Sequence, residues 1–307
     1  MKHNFNNIFY QQADLLISVI PYVFKENNFA MHGGTAINFF IRNMPRISVD
    51  IDMIYLKVLS RDESLKNISD GLNDIKNKLL SSLPGIEIEA KKFGDVLVSK
   101  LFIKRENALV KIEPNLIIRG TLFEPEERDI CENAERVFEK FVSARIVSIA
   151  DVYGSKICAA LDRQHPRDLF DIRQLLEYEG ISEEIRRAFI VYLISCNRPM
   201  SELLSPNFID MSRAFEKEFS GMTVERVQLE DLIEARKTLV NKINKQLTSD
   251  EKEFLLSFKR GEPAWKLIGL EKAEKLPAVN WKLKNINKME PGKHKKALEK
   301  LKQVLDK

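Results

Sequence analysis

The sequence has few cysteines and no long apolar run, and these absences exclude several classes of protein. Its three cysteines are odd in number and form no Cys-x-x-Cys pair, so neither a disulfide framework nor a structural zinc site is expected. No stretch of about 18 apolar residues predicts a membrane-spanning helix. The N-terminal sequence MKHNFNN also lacks the basic and apolar regions of an export signal. We therefore expect a cytoplasmic protein with no membrane partner.

The charge of the chain is unevenly distributed. Hydrophobic residues make up 44% of the 307 residues and charged residues 31%, which is ordinary for a globular protein with room for two domains. The net charge is +4, but residues 241–307 contain 17 Lys and Arg against 9 Asp and Glu, a net +8. This segment favours a polyanionic partner. A solvated, lysine-rich helical surface is the alternative.

The spacing of apolar residues predicts a mixed first half and a helical second half. The first half has predicted helices at 8–27, 35–42 and 61–82. Its predicted strands lie at 29–31, 49–58, 86–93, 96–104 and 108–117. An acidic segment at 123–139 is interpreted as a linker. Beyond it, helices are predicted at 149–163, 167–178, 182–195, 209–219, 229–247, 249–259 and 292–306.

These elements predict an α+β fold, a mixed β-sheet flanked by helices and followed by a mostly helical part. We expect the first domain at residues 1–140 and the second at 141–307.

The sequence HGGT at 32–35, followed by SVDID at 48–52, has the features of a phosphoryl-transfer site. Asp50 and Asp52 project from one face of a strand, where they repel each other unless a cation lies between them. Magnesium binds such carboxylates together with substrate phosphate. Glycines let a triphosphate approach the backbone, and amides of the next helix, with the Thr35 hydroxyl, can hold phosphate oxygens. Each part alone is common in turns and solvated strands, but the combination indicates a site.

Two further residues are candidates for the same site. Glu113, on a later predicted strand, would supply a third carboxylate to a two-metal arrangement. The alternative is an exposed acid paired with Lys111. Ser48 would contact the ligand through its hydroxyl, or simply begin the strand. His32 and His165 lack ligand-spaced partners. They are interpreted as structural residues or as residues that support the site without touching the ligand.

A second constellation lies in the helical half. Lys156 and Arg163 share one helix face, and Pro166 suits the start of the next helix, with Arg167 and Asp168 in its first turn. Lys and Arg are common partners of phosphate oxygens, and Asp168 would orient a cation or act as a base. The alternative is a buried set of salt bridges that holds two helices together.

HGGTAIN at 32–38, RISVDID at 46–52 and KICAALDRQHPRDLFDI at 156–172 together resemble the AbiEii/AbiGii family of nucleotidyltransferase-like toxins, in the DNA polymerase β-like superfamily. The resemblance covers residues 29–178. It implies a nucleotidyltransferase-type sheet and a helical C-terminal portion that completes the active site. It also implies transfer of a nucleoside monophosphate (NMP) from an NTP to an acceptor, with the 3′ end of tRNA as the expected acceptor, and a cognate antitoxin.

The resemblance also implies roles for individual residues of this chain. Those residues are Gly33, Gly34 and Thr35 in the nucleotide loop, Asp50 and Asp52 as Mg²⁺ ligands, Lys156 at the phosphates and Asp168 as a second-motif acid. Glu113 as third metal ligand and Ser48 and Arg163 as nucleotide contacts complete the predicted set. The loop around Pro45 is expected to be enlarged.

Two other functions remain open. One is a nucleotidyltransferase or kinase acting on a protein or small molecule, and the other is a non-catalytic RNA- or protein-binding module on a degenerate transferase fold.

Overall fold

The computed structural model describes residues 7–24, 28–94 and 96–306. Residues 1–6, 25–27, 95 and 307 lie outside the described part, and with them most of the MKHNFNN sequence and the last three residues of the helix predicted at 8–27. The chain divides into a sheet unit, Met1–Ser148 with Ser220–Val227, and a helical unit, Ile149–Phe219 with Gln228–Lys307. In the described ranges, no helix is long and apolar enough to cross a membrane.

A seven-stranded mixed sheet organises the sheet unit. Its strands are β1 (Phe29–His32), β2 (Asp50–Tyr55), β3 (Glu87–Phe93), β4 (Leu97–Arg105), β5 (Ala108–Arg119), β6 (Glu126–Asp129) and β7 (Ser143–Ile146). The strand order is β3-β4-β5-β2-β1-β7-β6. β2 pairs with β5 and β1 pairs with β7 in parallel, and the other neighbours are antiparallel. The predicted mixed α+β class is confirmed, and β2 lies at the centre of the sheet.

Helices cover one face of this sheet. The helices of the unit are α1 (Asn7–Phe24), α2 (Gly33–Ala36), which continues as a π-helical turn at Ile37–Ile41, α3 (Arg61–Ser82) and α4 (Glu132–Phe138). α1 packs against β5 and β7, α3 packs against β4, and α1 and α3 contact each other. A capping box fixes the start of α3, since Ser60 accepts from the Glu63 amide while Glu63 accepts from the Ser60 amide.

The segment at 123–139 is not a linker, and that prediction was wrong. It contains β6 and α4, and β6 pairs antiparallel with β7 at the edge of the sheet. The sequence of β6 is EERD, which lacks the apolar residues that indicate a strand. Edge strands tolerate such charged residues because one side of the strand faces solvent.

The loop before β2 is supported by a distant part of the chain. The Ile47 amide donates to the Met222 carbonyl at 2.8 Å, and the Val224 amide donates to the Pro45 carbonyl at 3.0 Å. Arg46 and Thr223 form an isolated antiparallel bridge between them. Ser220–Val227 therefore belongs to the sheet unit, although helical segments precede and follow it in sequence.

The helical unit is built around α5. Its helices are α5 (Ile149–Arg163), α6 (Pro166–Tyr178), α7 (Glu183–Ser195), α8 (Met200–Leu204), α9 (Ser212–Glu218), α10 (Leu229–Gln246), α11 (Ser249–Arg260), α12 (Pro277–Asn287) and α13 (Pro291–Leu305). α5 is buried along most of its length and packs against α6 and α7. A Cβ atom at Gly154 would lie 2.8 Å from the Ala188 Cβ, so the close approach of α5 and α7 requires glycine there. The apolar spacing of the sequence did not predict α8 or α12.

Candidate active site

Asp50 and Asp52 lie on one face of the central strand. Both are half-buried, and Ile51 between them is fully buried, as the alternation of a strand requires. The two neighbouring strands place further polar residues beside these acids. Asp52 is in register with Glu113 of β5 and with His32 of β1. Side chains in register lie on the same face of a sheet. The structure thus places Asp50, Asp52 and Glu113, here called the strand carboxylates, on one face.

The strand carboxylates have lysine neighbours. Lys111 Nζ lies 2.8 Å from a Glu113 carboxylate oxygen, and Lys100 also pairs with Glu113. Burial alone would raise the pKa of the Glu113 carboxyl, but its bonds to Lys100 and Lys111 outweigh this and lower it. Burial alone would lower the pKa of Lys111, but Glu113, Asp50 and Asp52 raise it. The alternative for Glu113, an acid paired with Lys111, is therefore observed, and its metal-ligand role stays a prediction.

The strand carboxylates form a donor set that suits magnesium, which prefers carboxylate oxygens and completes its shell with water or phosphate. In the described part of the chain, no group of three or more His, Cys, Asp and Glu side chains is arranged to hold a metal ion by itself. Two acids on one face of a buried strand are costly unless a cation offsets their repulsion. The residues present therefore fit a site completed by substrate phosphate.

Gly33 is required by the position of Asp52. Its φ of +76° is left-handed, and a Cβ atom there would lie 2.6 Å from a carboxylate oxygen of Asp52. At Gly34 a Cβ atom would lie 2.8 Å from the Arg46 guanidinium and 3.2 Å from the Ser48 hydroxyl. Both glycines thus make room for protein side chains, in addition to the backbone access that the sequence suggested.

Two buried hydroxyls join the glycine loop to β2. Thr35 Oγ1 lies 2.9 Å from the Ser48 Oγ, and it donates a 2.5 Å hydrogen bond to the Asp50 carbonyl. Thr35 is fully buried and Ser48 is 7% exposed. Both hydroxyls therefore bond within the protein, where they fix the glycine loop relative to the strand that carries the acids.

Sequence reasoning did not single out Arg46 as a site residue. Arg46 is 2% exposed, its guanidinium lies beside Gly34, and its Nη1 donates to the Ile47 carbonyl at 2.9 Å. Its place in the motif RISVDID was visible, but a lone arginine before a strand is usually exposed. It is a buried cation next to the glycine loop.

The second constellation forms a buried cluster in the helical unit. Lys156 Nζ lies 3.0 Å from Asp168 and 3.1 Å from Asp171, and these three side chains are at most 6% exposed. We call Lys156, Arg163, Asp168 and Asp171 the ion-pair cluster. It joins α5 to α6, which is the arrangement expected of the structural alternative. Asp171 ended the predicted constellation but had no predicted role, although its spacing from Asp168 places both on one helix face.

Arg163 forms the exposed side of the ion-pair cluster. Its side chain is 64% exposed, and its Nη2 donates to Asp168 at 2.9 Å. Burial alone would raise the pKa of the Asp168 carboxyl, but Lys156 and Arg163 outweigh it and hold the pKa well below the usual 3.8. Asp168 therefore stays ionised at neutral pH. Its place in the first turn of α6 also favours the charge.

His165 caps the N-terminus of α6. Its Nδ1 accepts from the Arg167 amide at 3.2 Å, and its Nε2 lies 3.1 Å from a carboxylate oxygen of Glu218. Burial lowers the pKa of this imidazole. The structural role expected for His165 is confirmed by these contacts.

The predicted residues thus form two groups. Those of the sheet unit lie together around β2, namely Gly33, Gly34, Thr35, Ser48, Asp50, Asp52 and Glu113. Those of the helical unit lie together at the junction of α5 and α6, namely Lys156, Arg163 and Asp168.

Comparisons with known proteins show the family to which the chain belongs. A family model described as nucleotidyl transferase AbiEii toxin, type IV TA system, matches residues 14–285. Among solved structures, MenT4, a nucleotidyltransferase toxin from Mycobacterium tuberculosis H37Rv, is similar in fold with a TM-score of 0.62 and 15% identity, over 86% of this chain and 92% of that chain. No curated protein matches the sequence. Because the family model spans most of its length, the chain belongs to the AbiEii family of nucleotidyltransferase toxins of type IV toxin–antitoxin systems.

Proposed function

We propose that this toxin transfers a nucleoside monophosphate from an NTP to RNA, with the 3′ end of tRNA as the acceptor, in a magnesium-dependent reaction. The observation that carries the proposal is the set of strand carboxylates on one face of the neighbouring strands β2 and β5, with Asp52 lying against the glycine loop. Such an arrangement serves in-line displacement at a phosphorus atom. A cytoplasmic location and a cognate antitoxin belong to the same proposal.

Asp50 and Asp52 would hold the magnesium, with Glu113 as the third candidate ligand. Bound magnesium would neutralise charge on the phosphates and favour ionisation of the attacking hydroxyl. The backbone of Gly33 and Gly34 binds phosphate oxygens, while Thr35 and Ser48 hold this loop against β2.

The acceptor hydroxyl attacks the α-phosphorus, the bond to the β-phosphate oxygen breaks, and pyrophosphate leaves.

The cations of the ion-pair cluster have different roles in this proposal. Arg163 is the candidate phosphate contact of this cluster, and most of its side chain is exposed. Lys156 is buried between Asp168 and Asp171, so it reaches a phosphate only by exchanging a carboxylate partner. Asp168 orients both cations. These interactions would stabilise the negative charge that develops during transfer.

Transfer of a radioactive label tests the proposal. The purified toxin is incubated with total tRNA, Mg²⁺ and each of the four α-³²P-labelled NTPs in turn, beside an Asp50→Ala/Asp52→Ala variant. We expect label on tRNA with at least one NTP, and none with the variant. Omitting Mg²⁺, or replacing it with Ca²⁺, tests the metal requirement separately.

Other outcomes would replace the proposal with a named alternative. Label on protein, or retention of a γ-³²P label on the acceptor, would show protein nucleotidylation or a kinase activity instead. Without any label, NTP binding that is unchanged in Asp52→Ala would favour a binding module.

A further inference from the structure

A cavity of about 340 Å³ lies between α8, α12 and α13 of the helical unit. Trp281 lines it, yet half of this side chain is exposed to solvent. Met200, Ile286, Met289 and Leu301 supply apolar walls. The volume of this cavity suits one flat aromatic ring system with its substituents.

The charged side chains that line this cavity are all cationic. Among the described residues that line it, Lys259, Lys282 and Lys293 carry charge and no carboxylate is present. Lys282 is held in place by the carbonyls of Cys196 and Asn197. Burial lowers the pKa of Lys259 and Lys282, so a bound anion would favour their charged form.

A second, polar cavity lies next to the first. It has a volume of about 680 Å³ and is lined by Arg163, Arg198 and Lys300, among others. Its two acids are neutralised, since Asp162 pairs with Arg198 and Glu202 pairs with Lys300. Ser201 lines both cavities. The two cavities are therefore adjacent along α8 and α13, and together they are called the lysine groove.

We propose that the lysine groove binds single-stranded RNA, with a base stacked on Trp281 and backbone phosphates on Lys259 and Lys293. This inference rests on the proposed function, because it assigns the RNA acceptor of that reaction a place on the helical unit. Aromatic side chains that stack bases inside a basic groove are the common means of holding single strands without reading their sequence.

The surroundings of the groove favour RNA over an acidic peptide. Residues 277–305, which include α12 and α13, contain eight lysines and two glutamates. This charge suits a repeating phosphate backbone. Trp281 offers a flat, sequence-tolerant surface to a base, whereas the carboxylate side chains of an acidic peptide do not stack on it.

The tryptophan content of the chain permits a direct test. The sequence has two tryptophans, and Trp265 packs against Phe254 and Phe258, with ring centroids 5.3 and 6.3 Å away. In a Trp265→Phe variant of the full chain, fluorescence reports on Trp281. The probe is a mixed-sequence single-stranded RNA of ten nucleotides, added without NTP or Mg²⁺.

We expect this RNA to quench the fluorescence of Trp281. With a labelled RNA, Trp281→Leu should weaken binding about tenfold. Lys259→Gln and Lys293→Gln should each reduce the slope of log affinity against log salt by about 0.7. Lys217→Gln, on α9 and outside both cavities, is the matched control and should change neither quantity by as much.

Three results would overturn the proposal. These are an absence of quenching, equal RNA affinity in Trp281→Leu, or equally tight binding of a ten-residue polyglutamate, which would assign the groove to an acidic peptide. Failure of the proposed function is distinguishable. Quenching without label on tRNA would contradict the transfer reaction alone, and label on tRNA without quenching would contradict the groove alone.

Discussion

Carboxylates in the two units of this protein have different surroundings and therefore different roles. Asp50 and Asp52 are half-buried on a strand face, whereas Asp168 and Asp171 are fully buried and paired with Lys156. A half-buried acid can bind a ligand cation at little cost to folding. A buried ion pair is different, since loss of one partner leaves an uncompensated charge. The first pair should control activity, and the second should control stability first.

The largest effect on activity should follow from Asp52→Asn. The amide keeps the shape but loses the charge that holds a cation, so we expect transfer to fall on the order of 10³-fold. The free energy of unfolding should change by less than about 1 kcal/mol. Label transfer and urea denaturation measure the two quantities. A large loss of stability would remove the contrast with the ion-pair cluster.

Asp168→Ala should show the opposite pattern. It removes one of the two buried carboxylates that pair with Lys156 and the carboxylate that pairs with Arg163, so that Asp171 alone balances Lys156. We therefore expect a loss of about 3 kcal/mol in the free energy of unfolding. Glu177→Ala is the control on the same helix. Its exposed pair with Arg173 should contribute less than about 1 kcal/mol. Equal effects in the two variants would show that the burial of Asp168 does not matter.

Acid should also lower the free energy of unfolding of the parent protein, because it protonates Asp168. The pKa of Asp168 is lowered in the folded state from its usual 3.8, so its contribution is complete above that value and is lost as pH falls through and below it. Thermal denaturation between neutral pH and about pH 2 measures this dependence. Asp168→Asn should be less sensitive to acid than the parent, and an unchanged profile would contradict this cause.

Gly33→Ala should lower activity about 100-fold, because the new methyl group displaces the Asp52 carboxylate. Gly85→Ala is the matched control. Gly85 also has a positive φ, of +72°, but nothing lies within 4 Å of its Cβ position. Both variants should lose stability through backbone strain, on the order of 1 kcal/mol, and only Gly33→Ala should lose transfer. A similar loss in both would mean that strain, not collision, is responsible.

The smallest effect expected is that of Glu113→Gln. Glu113 is in register with Asp52 but is paired with Lys100 and Lys111, so we expect about a tenfold loss of transfer. Measuring activity against Mg²⁺ concentration separates its two possible roles. A higher Mg²⁺ requirement supports a metal ligand, whereas an unchanged requirement assigns Glu113 to charge balance with the lysines.

The sequence predicted regular elements well where a periodic apolar pattern was strong. α3 and α5 begin and end where the pattern placed them, at Arg61–Ser82 and Ile149–Arg163. β6, with the sequence EERD, has no such pattern because it is a short edge strand. Strand order was not predictable, since β2 finds its neighbours through long-range pairing.

For the site, the sequence predicted which residues lie near β2 but not how they contact one another. The i and i+2 spacing placed Asp50 and Asp52 on one face. The collision that makes Gly33 necessary, the burial of Arg46 and the Lys100 partner of Glu113 depend on tertiary packing. In the helical unit, a buried set of salt bridges around Lys156 was predicted as the alternative, but the pairing of Lys156 with Asp171 was not.

The contacts of Ser220–Val227 with the sheet unit affect how this toxin folds during synthesis and how it can be truncated. During synthesis, the loop that leads into β2 lacks its support until residue 227 has left the ribosome. A fragment that ends at Ser148 should therefore carry every strand and still have a loosened loop before Asp50. Fusing residues 220–227 to that fragment should restore the loop, which protease sensitivity around Pro45 would report. A nascent chain of half length thus contains the strands of the sheet but not the segment that supports the loop before β2.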